Sequence, residues 1–265
     1  MKREVLIAGL GKMGSALALS LDKAGYNIRG FDIEPDKGSI KSETSLENLL
    51  THDSPIIVAV KPDKVEAVLQ KIPDSRLIIS IAAGVSLVQL QSMRKIKGPV
   101  IRSMPNIAVT VNKGMTCFVA SKDCSGEHIE FAQNLFQTCG EVIKIEDDEK
   151  MHLVTALSGS GPAYIFEFLQ AFEDAGVFYG LSRTQSRKLA LQTLLGAGEL
   201  ALISDRSPQD LIHDVTSPGG TTIAGLRGLS AMGFREAVFE AVSRAYDRSF
   251  ELMNKSDGSS DIGFK

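Results

Sequence analysis

The chain has 265 residues, 43% of them apolar, which is enough for one large domain or two modest domains with a buried core. Its formal net charge is −3 with acids and bases interspersed, so it lacks the basic field that nucleic-acid binding requires. The apolar run before Gly9 is too short for a signal sequence or a membrane span, and the three cysteines form no CxxC pair. We therefore expect a cytoplasmic protein with no nucleic-acid or membrane partner. Four histidines are scattered singly, so no metal site is predicted.

The first half of the chain alternates short β-branched runs with helical stretches, the pattern of βαβ units around a parallel sheet. The predicted strands are 4–8, 27–32, 56–60, 77–81, 100–103, 115–120 and 141–145. The predicted helices between them are 13–24, 62–70, 87–94 and one that begins near Ser125. This order predicts a doubly wound α/β sheet.

The second half reads almost entirely as helix, rich in Ala, Leu and Gly. The acidic run 146–149 is expected to be a solvated helix start. We place the domain boundary there, with an α/β domain over 1–148 and a helical domain over 149–265. In segment 183–204, Gly196 and Gly198 leave room for close helix packing. We expect a homodimer, with a second subunit completing this domain.

The first predicted strand runs directly into a GxGxxG motif that opens a helix. In this context Gly9 permits a tight turn, Gly11 lets backbone approach a pyrophosphate, and Gly14 lets helix and strand pack closely. Leu10, Lys12 and Met13 complete the loop. The alternative is a glycine-rich turn that binds no ligand.

Asp32 ends the second predicted strand, where an acid accepts hydrogen bonds from an adenosine ribose and repels a 2′-phosphate. This favours NADH slightly over NADPH. Arg29 and Lys37, close by in the sequence, argue the other way, because either could bind that phosphate. The alternative role for Asp32 is to form the turn before Pro35.

Two further segments follow the third and fourth predicted strands, at the edge where doubly wound sheets bind ligands. Their residues are assigned to the cofactor site: Val60, Lys61 and Pro62 after one strand, and Ala82, Ala83 and Gly84 after the other. Lys61 is equally well explained as a solvated residue at a helix start.

In the helical half, the segment 216–222 combines two glycines with several hydroxyls before a helix, which suits a carboxylate ligand. The alternative is a capped helix start, with Ser217 as N-cap and Pro218 at the first helical position. A second glycine segment, 157–163, interrupts a long predicted helix and marks a kink or a tight crossing. No nucleophile elbow or phosphate-binding GxxxxGK[ST] loop accompanies it.

The motifs GLGKMG, VKP, SIAAGV, IRSMPN, ALSGSGPAY and VTSPGGTT, in this order, resemble those of pyrroline-5-carboxylate reductases over nearly the whole chain. The resemblance implies a Rossmann-type domain followed by an all-α dimerisation domain, and dimers that assemble further, often into decamers. It implies cofactor contacts from the loops named above and substrate contacts from Ser217, Gly219, Gly220, Thr221 and Thr222. It also implies that Asn106 lies near the nicotinamide end. Asp32 departs from the small polar residue that many members carry.

The implied reaction is hydride transfer from NADH or NADPH to 1-pyrroline-5-carboxylate, giving proline. In a related family, the β-hydroxyacid dehydrogenases, a lysine acts as acid/base at the position occupied here by Ile165. A cyclic imine takes its proton from solvent and needs no such acid, so we assign Thr222 the catalytic role of hydrogen-bonding the ring nitrogen. The alternatives are a β-hydroxyacid dehydrogenase, another cyclic imine reductase, or a non-catalytic dinucleotide sensor.

Overall fold

A computed structural model describes residues 4–34, 40, 42–43, 45–73, 75–94 and 98–256. Seven strands form one sheet in the order β2-β1-β3-β4-β5-β6-β7. Their bounds are β1 Glu4–Ala8, β2 Asn27–Phe31, β3 Ile56–Val58, β4 Ile78–Ser80, β5 Val100–Pro105, β6 Gly114–Ala120 and β7 Gly140–Lys144. The predicted doubly wound sheet is confirmed.

The sheet is parallel except where β6 pairs antiparallel with β5. The sequence pattern predicted a parallel sheet and gave no direction for the run that forms β6, so the antiparallel pair is a feature that it did not predict. A parallel neighbour needs a crossover of a dozen or more residues, and only the short link 106–113 joins these two strands. That link contains a 3₁₀ turn, Ile107–Val111, and ends at Asn112 in the left-handed region with φ +54°.

Helices cover both faces of the sheet and then make up the later part of the chain. Their bounds are α1 Lys12–Lys23, α2 Leu46–Leu50, α3 Pro62–Leu69, α4 Leu87–Ser92, α5 Gly126–Gln137, α6 Lys150–Val154, α7 Gly161–Phe178, α8 Arg183–Ile203, α9 Pro208–Asp214, α10 Thr221–Ala231 and α11 Phe234–Ser256. A π-helical turn, Thr155–Gly159, lies between α6 and α7, which confirms the predicted interruption. The short α2 and the 3₁₀ turn were not predicted, since five residues are too few to show helical periodicity.

Alternate residues of each central strand pack on opposite faces of the sheet. Val5 and Ile7 of β1 belong to a buried cluster that includes residues of α1 and α5, whereas Leu6 and Ala8 belong to a second cluster with residues of α3 and α4. Strands buried on both faces are typical of parallel sheets, and this explains the continuous apolar runs in the sequence.

Contacts divide the described residues into two compact units: one reaches Pro162 and resumes at Ser243, and the other is Ala163–Val242. Within the helical unit, Ser186 donates to the carbonyl of Glu173 at 2.5 Å, and a Cβ on Gly176 would lie 2.1 Å from that hydroxyl. Gly176 therefore allows α7 and α8 to approach closely. Across the described ranges, no helix is long and apolar enough to cross a membrane. The predicted boundary after residue 148 stays a prediction.

Candidate functional site

The glycine-rich loop joins β1 to α1, and its backbone geometry requires glycine at two positions. Gly9 has φ +102°, and a Cβ there would lie 2.7 Å from the backbone of Ala59 on the neighbouring β3 loop. A Cβ on Gly14 would lie 2.0 Å from the Gly9 carbonyl oxygen. Any side chain at either position would push the loop away from the sheet.

Gly11 is different, because a Cβ there would meet nothing within 4 Å. Gly11 is also the N-cap of α1, and within the described chain no side chain caps that helix start. The space above Gly11 and the amides that open α1 fit a pyrophosphate, with exposed Lys12 beside them. Leu10 has a structural role too, since its side chain is buried over Gly30.

Asp32 follows β2 and binds the same loop. Its Oδ2 accepts the Leu10 N–H at 2.6 Å, and its Oδ1 accepts the Glu34 N–H at 3.1 Å. Arg29 points its guanidinium elsewhere: it pairs with Glu4 at 2.9 Å and with Glu43 at 3.0 Å, and these hydrogen bonds raise its pKa. Lys37 and Pro35 lie outside the described residues.

The two other predicted cofactor segments follow β3, which is next to β1 in the sheet, and β4, which is next to β3. Their carboxyl ends therefore lie at the same edge as the glycine-rich loop. Exposed Lys61 is the N-cap of α3, with Pro62 at the first helical position, and Val60 is half-buried. Ala82 and Ala83 lead into Gly84, which has φ +72° and packs against Leu252. A Cβ on Gly84 would lie 3.0 Å from the Cβ of Leu252.

Asn106 follows β5 at the same edge, but its amide is bonded to the protein's own backbone. Its Oδ1 accepts the N–H groups of Ala108 at 3.2 Å and Met115 at 3.3 Å. Its Nδ2 lies 3.3 Å from the carbonyl oxygen of Ser158 and 3.4 Å from the hydroxyl of that residue. Its assignment as a substrate contact stays a prediction.

In the helical unit, the second motif forms a turn that opens α10. The helix begins at Thr221 with Gly220 as N-cap, and no side chain in the described part of the chain caps it. The alternative that Ser217 is the N-cap and Pro218 the first helical residue is therefore wrong. The Ser217 carbonyl accepts the Gly220 N–H at 3.0 Å, which closes a tight turn instead.

The turn holds the Ser217 hydroxyl directly over Gly220, where a Cβ would lie 2.3 Å from its Oγ. Gly219 has φ +69°, and Thr221 and Thr222 are exposed at the start of the helix. Hydroxyls and uncapped amides thus share one small surface, which suits a single carboxylate.

A short helix, α9, leads into this turn, and an arginine that precedes the helix is paired with its last residue. The guanidinium of Arg206 binds the carboxylate of Asp214 and the carbonyl of Asp210. The hydrogen bonds from Arg206 hold the pKa of Asp214 below its usual value. The pair fixes the last turn of α9, from which Thr216 and Ser217 continue.

The sequence analysis missed an ion pair between Asp148 and the buried Arg102. The acidic run 146–149 was expected to be solvated, but Asp148 binds the guanidinium of Arg102 at 2.7 Å and the N–H of Leu87 at 2.8 Å. Arg102 is 3% exposed. An arginine within the apolar strand β5 was the signal, because a buried cation needs a partner.

His152 lies near this pair and is also buried. Its Nδ1 is 2.8 Å from the Ser249 hydroxyl, and its ring stacks on Phe250 with centroids 3.9 Å apart. Burial lowers the pKa of His152, and the positive charge of Arg102 lowers it further. Among the described residues, no group of three or more His, Cys, Asp or Glu is arranged to hold a metal ion.

Two family models match the chain. One, described as pyrroline-5-carboxylate reductase dimerisation, matches residues 148–252. The other, described as NADP oxidoreductase coenzyme F420-dependent, matches residues 4–84. The first covers the later helices, and the second covers the glycine-rich loop and the segments after β3 and β4.

Proteins described as pyrroline-5-carboxylate reductases are similar to this chain over most of their length. The pyrroline-5-carboxylate reductase of Methanosarcina acetivorans is 38% identical over 93% of this chain and 97% of its own. That of Synechocystis sp. is 43% identical over 76% of this chain and 75% of its own. The crystal structure of Plasmodium falciparum pyrroline carboxylate reductase with NADP bound is similar with a TM-score of 0.89 and 33% identity, covering 95% of this chain and 98% of that one.

Proposed function

We propose that this chain, which belongs to the pyrroline-5-carboxylate reductase family, reduces 1-pyrroline-5-carboxylate to L-proline with a nicotinamide dinucleotide as hydride donor. The observation that carries the proposal is the uncapped start of α10, where the Ser217 hydroxyl lies over Gly220. This surface offers hydrogen-bond donors for one carboxylate. The space above Gly11 offers a second site, for a pyrophosphate.

The substrate carboxylate binds the amide of Thr221 and the hydroxyl of Ser217, and Gly219 and Gly220 shape the turn that presents them. Thr222 hydrogen-bonds the ring nitrogen and thereby sets the orientation of the imine carbon. The nicotinamide supplies the hydride when the cofactor is bound. Most of the rate enhancement then comes from positioning, because solvent protonates the imine before hydride attack. Ile165, half-exposed where the β-hydroxyacid dehydrogenases have lysine, supports a reaction without a protein acid.

For the cofactor, we propose a loop contact at residues 9–14, with further contacts from 60–62 and 82–84, and use of NADH ahead of NADPH. The carboxylate of Asp32 lies against the loop, where it repels a 2′-phosphate. Arg29, the described residue that argued for NADPH, is held by Glu4 and Glu43. The NADP bound to the Plasmodium falciparum protein argues for use of both cofactors.

We propose that residues 1–148 bind the cofactor and residues 149–265 bind the substrate and form the dimer, with further assembly into decamers. The match of the dimerisation model from residue 148 supports this division. Large apolar side chains on the described helical unit also support it, since Leu195 is 60% exposed and Phe239 is 78% exposed. The free thiols of all three cysteines support a reducing, cytoplasmic location.

The first test is oxidation of NADH and of NADPH, followed separately by absorbance when the purified protein is given pyrroline-5-carboxylate. Turnover with both cofactors and a higher kcat/KM for NADH is the expected result. Tight cofactor binding without turnover would refute the proposed reaction. A higher kcat/KM for NADPH would refute only the argument from Asp32.

A further inference from the structure

Pro162 leaves a backbone carbonyl without its usual helical donor. In an α-helix each N–H donates to the carbonyl four residues earlier, which for position 162 is the carbonyl of Ser158. Proline has no N–H, and its ring crowds that same carbonyl. The chain widens here into the π-helical turn Thr155–Gly159, with the Ser160 N–H donating to the Thr155 carbonyl at 2.8 Å.

The side chain of Asn106 supplies a donor to that carbonyl. Its Nδ2 lies 3.3 Å from the Ser158 oxygen, and the Ser158 hydroxyl is within 3.4 Å. The opposite end of the amide is fixed, since Oδ1 accepts from Ala108 and Met115. The backbone N–H of Asn106 also donates to the Met115 carbonyl, at 3.2 Å. One side chain therefore joins the end of β5, the start of β6 and the π-helical turn.

A second contact at the same place shows how closely the turn approaches the strand. A Cβ on Gly159 would lie 2.7 Å from the terminal methyl of Met104 on β5. The turn is thus packed against β5 through glycine and bonded to its end through Asn106. π-helical turns occur frequently at functional sites, and the carboxyl edge of such a sheet is where ligands bind.

We propose that Asn106 is a positioning residue rather than a substrate contact: it holds the π-helical turn at the carboxyl end of β5 by donating the hydrogen bond that Pro162 cannot. This inference rests on the proposed function for its effect on turnover, but not for its effect on the turn. A displaced turn alters the carboxyl edge of the sheet, where the nicotinamide end of the cofactor is proposed to bind. Turnover then falls while cofactor affinity is kept.

The test uses the variant Asn106→Asp in the full-length protein. Aspartate keeps the acceptor for Ala108 and Met115 but places an oxygen against the Ser158 carbonyl. Hydrogen exchange at the Ser160 amide should become about tenfold faster, and kcat should fall about tenfold with cofactor Kd within about twofold. Gln133→Glu, which adds the same charge at an exposed position of α5, is the matched control and should change neither.

Pro162→Ala provides the decisive second change, because position 162 regains an N–H that can donate to Ser158. The double variant N106D/P162A should recover most of the lost protection at Ser160 and most of the lost kcat. Unchanged exchange in N106D, or a defect that P162A does not relieve, would overturn the proposal. A raised KM for the imine with unchanged exchange would make Asn106 a substrate contact. If the wild-type protein does not turn over, the proposed function fails, and the exchange measurements still decide the role of Asn106.

Discussion

Replacing Asp148 by alanine should destabilise the sheet unit more than replacing an exposed acidic residue by alanine does. The carboxylate of Asp148 bonds to the guanidinium of Arg102 through Oδ1 and to the Leu87 N–H, at the start of α4, through Oδ2. Asp148→Ala therefore leaves a cation 3% exposed inside the protein and removes the acceptor of a helix-start amide.

Removing one partner of a buried ion pair costs about 3–5 kcal/mol, because the remaining charge stays desolvated. The side chain of Asp148 is 23% exposed, so water reaches part of the site, and we expect the lower end, about 3 kcal/mol. Glu146→Ala is the matched control. It removes an exposed acid paired with Lys144, an interaction worth about 0–1 kcal/mol.

Urea unfolding at one fixed protein concentration measures both variants, because the apparent stability of any oligomer depends on concentration. A loss for Asp148→Ala no larger than that for Glu146→Ala would refute the reasoning. The double variant R102M/D148L should recover most of the stability, because it removes the unpaired charge together with its partner.

Three further results are expected. Gly220→Ala should rotate the Ser217 hydroxyl away, since a Cβ would lie 2.3 Å from it; kcat/KM for the imine should fall about tenfold, with cofactor Kd unchanged in a binding titration. Thr222→Ala should lower kcat and spare cofactor affinity, and unchanged steady-state turnover would remove its proposed role. Burial lowers the pKa of His152, so this imidazole takes up a proton more readily in the unfolded chain than in the folded protein. The free energy of unfolding should therefore decrease as the pH falls below about 6.5. The decrease in Tm from about pH 7.5 to about pH 5.5 should therefore be smaller in His152→Gln than in the wild-type protein.

The sequence predicted the sheet well because periodicity and glycine placement are local signals. The ends of each predicted strand agree with those of the observed strand to within two residues. The strand-to-helix context of Gly9 and Gly14 also predicted the close contacts that require glycine at these positions. The direction of β6 was not predicted. Strand direction depends on whether a connection is long enough for a crossover, and the apolar pattern of a strand is the same in either direction.

The site features that were missed depend on contacts between distant residues. Asp148 reads as one acid among four, and only the fold brings it to Arg102. The pattern Ser-Pro before a glycine pair fits a capped helix, yet the chain closes a turn at Gly220 first. Local sequence shows which groups a segment offers, whereas their partners are set by packing.

Asp32 links the proposed cofactor preference to the geometry of the glycine-rich loop. Its carboxylate accepts the Leu10 N–H at 2.6 Å, so the group proposed to repel a 2′-phosphate also fixes the loop proposed to receive the pyrophosphate. A small neutral residue at position 32 would remove the repulsion and this hydrogen bond together. Affinity for both cofactors would then fall, because the loop that binds their shared pyrophosphate would be less well fixed. Discrimination between them would also fall, because nothing at the ribose would repel a 2′-phosphate. A change of preference therefore needs a new acceptor for Leu10 as well as a cation for the phosphate.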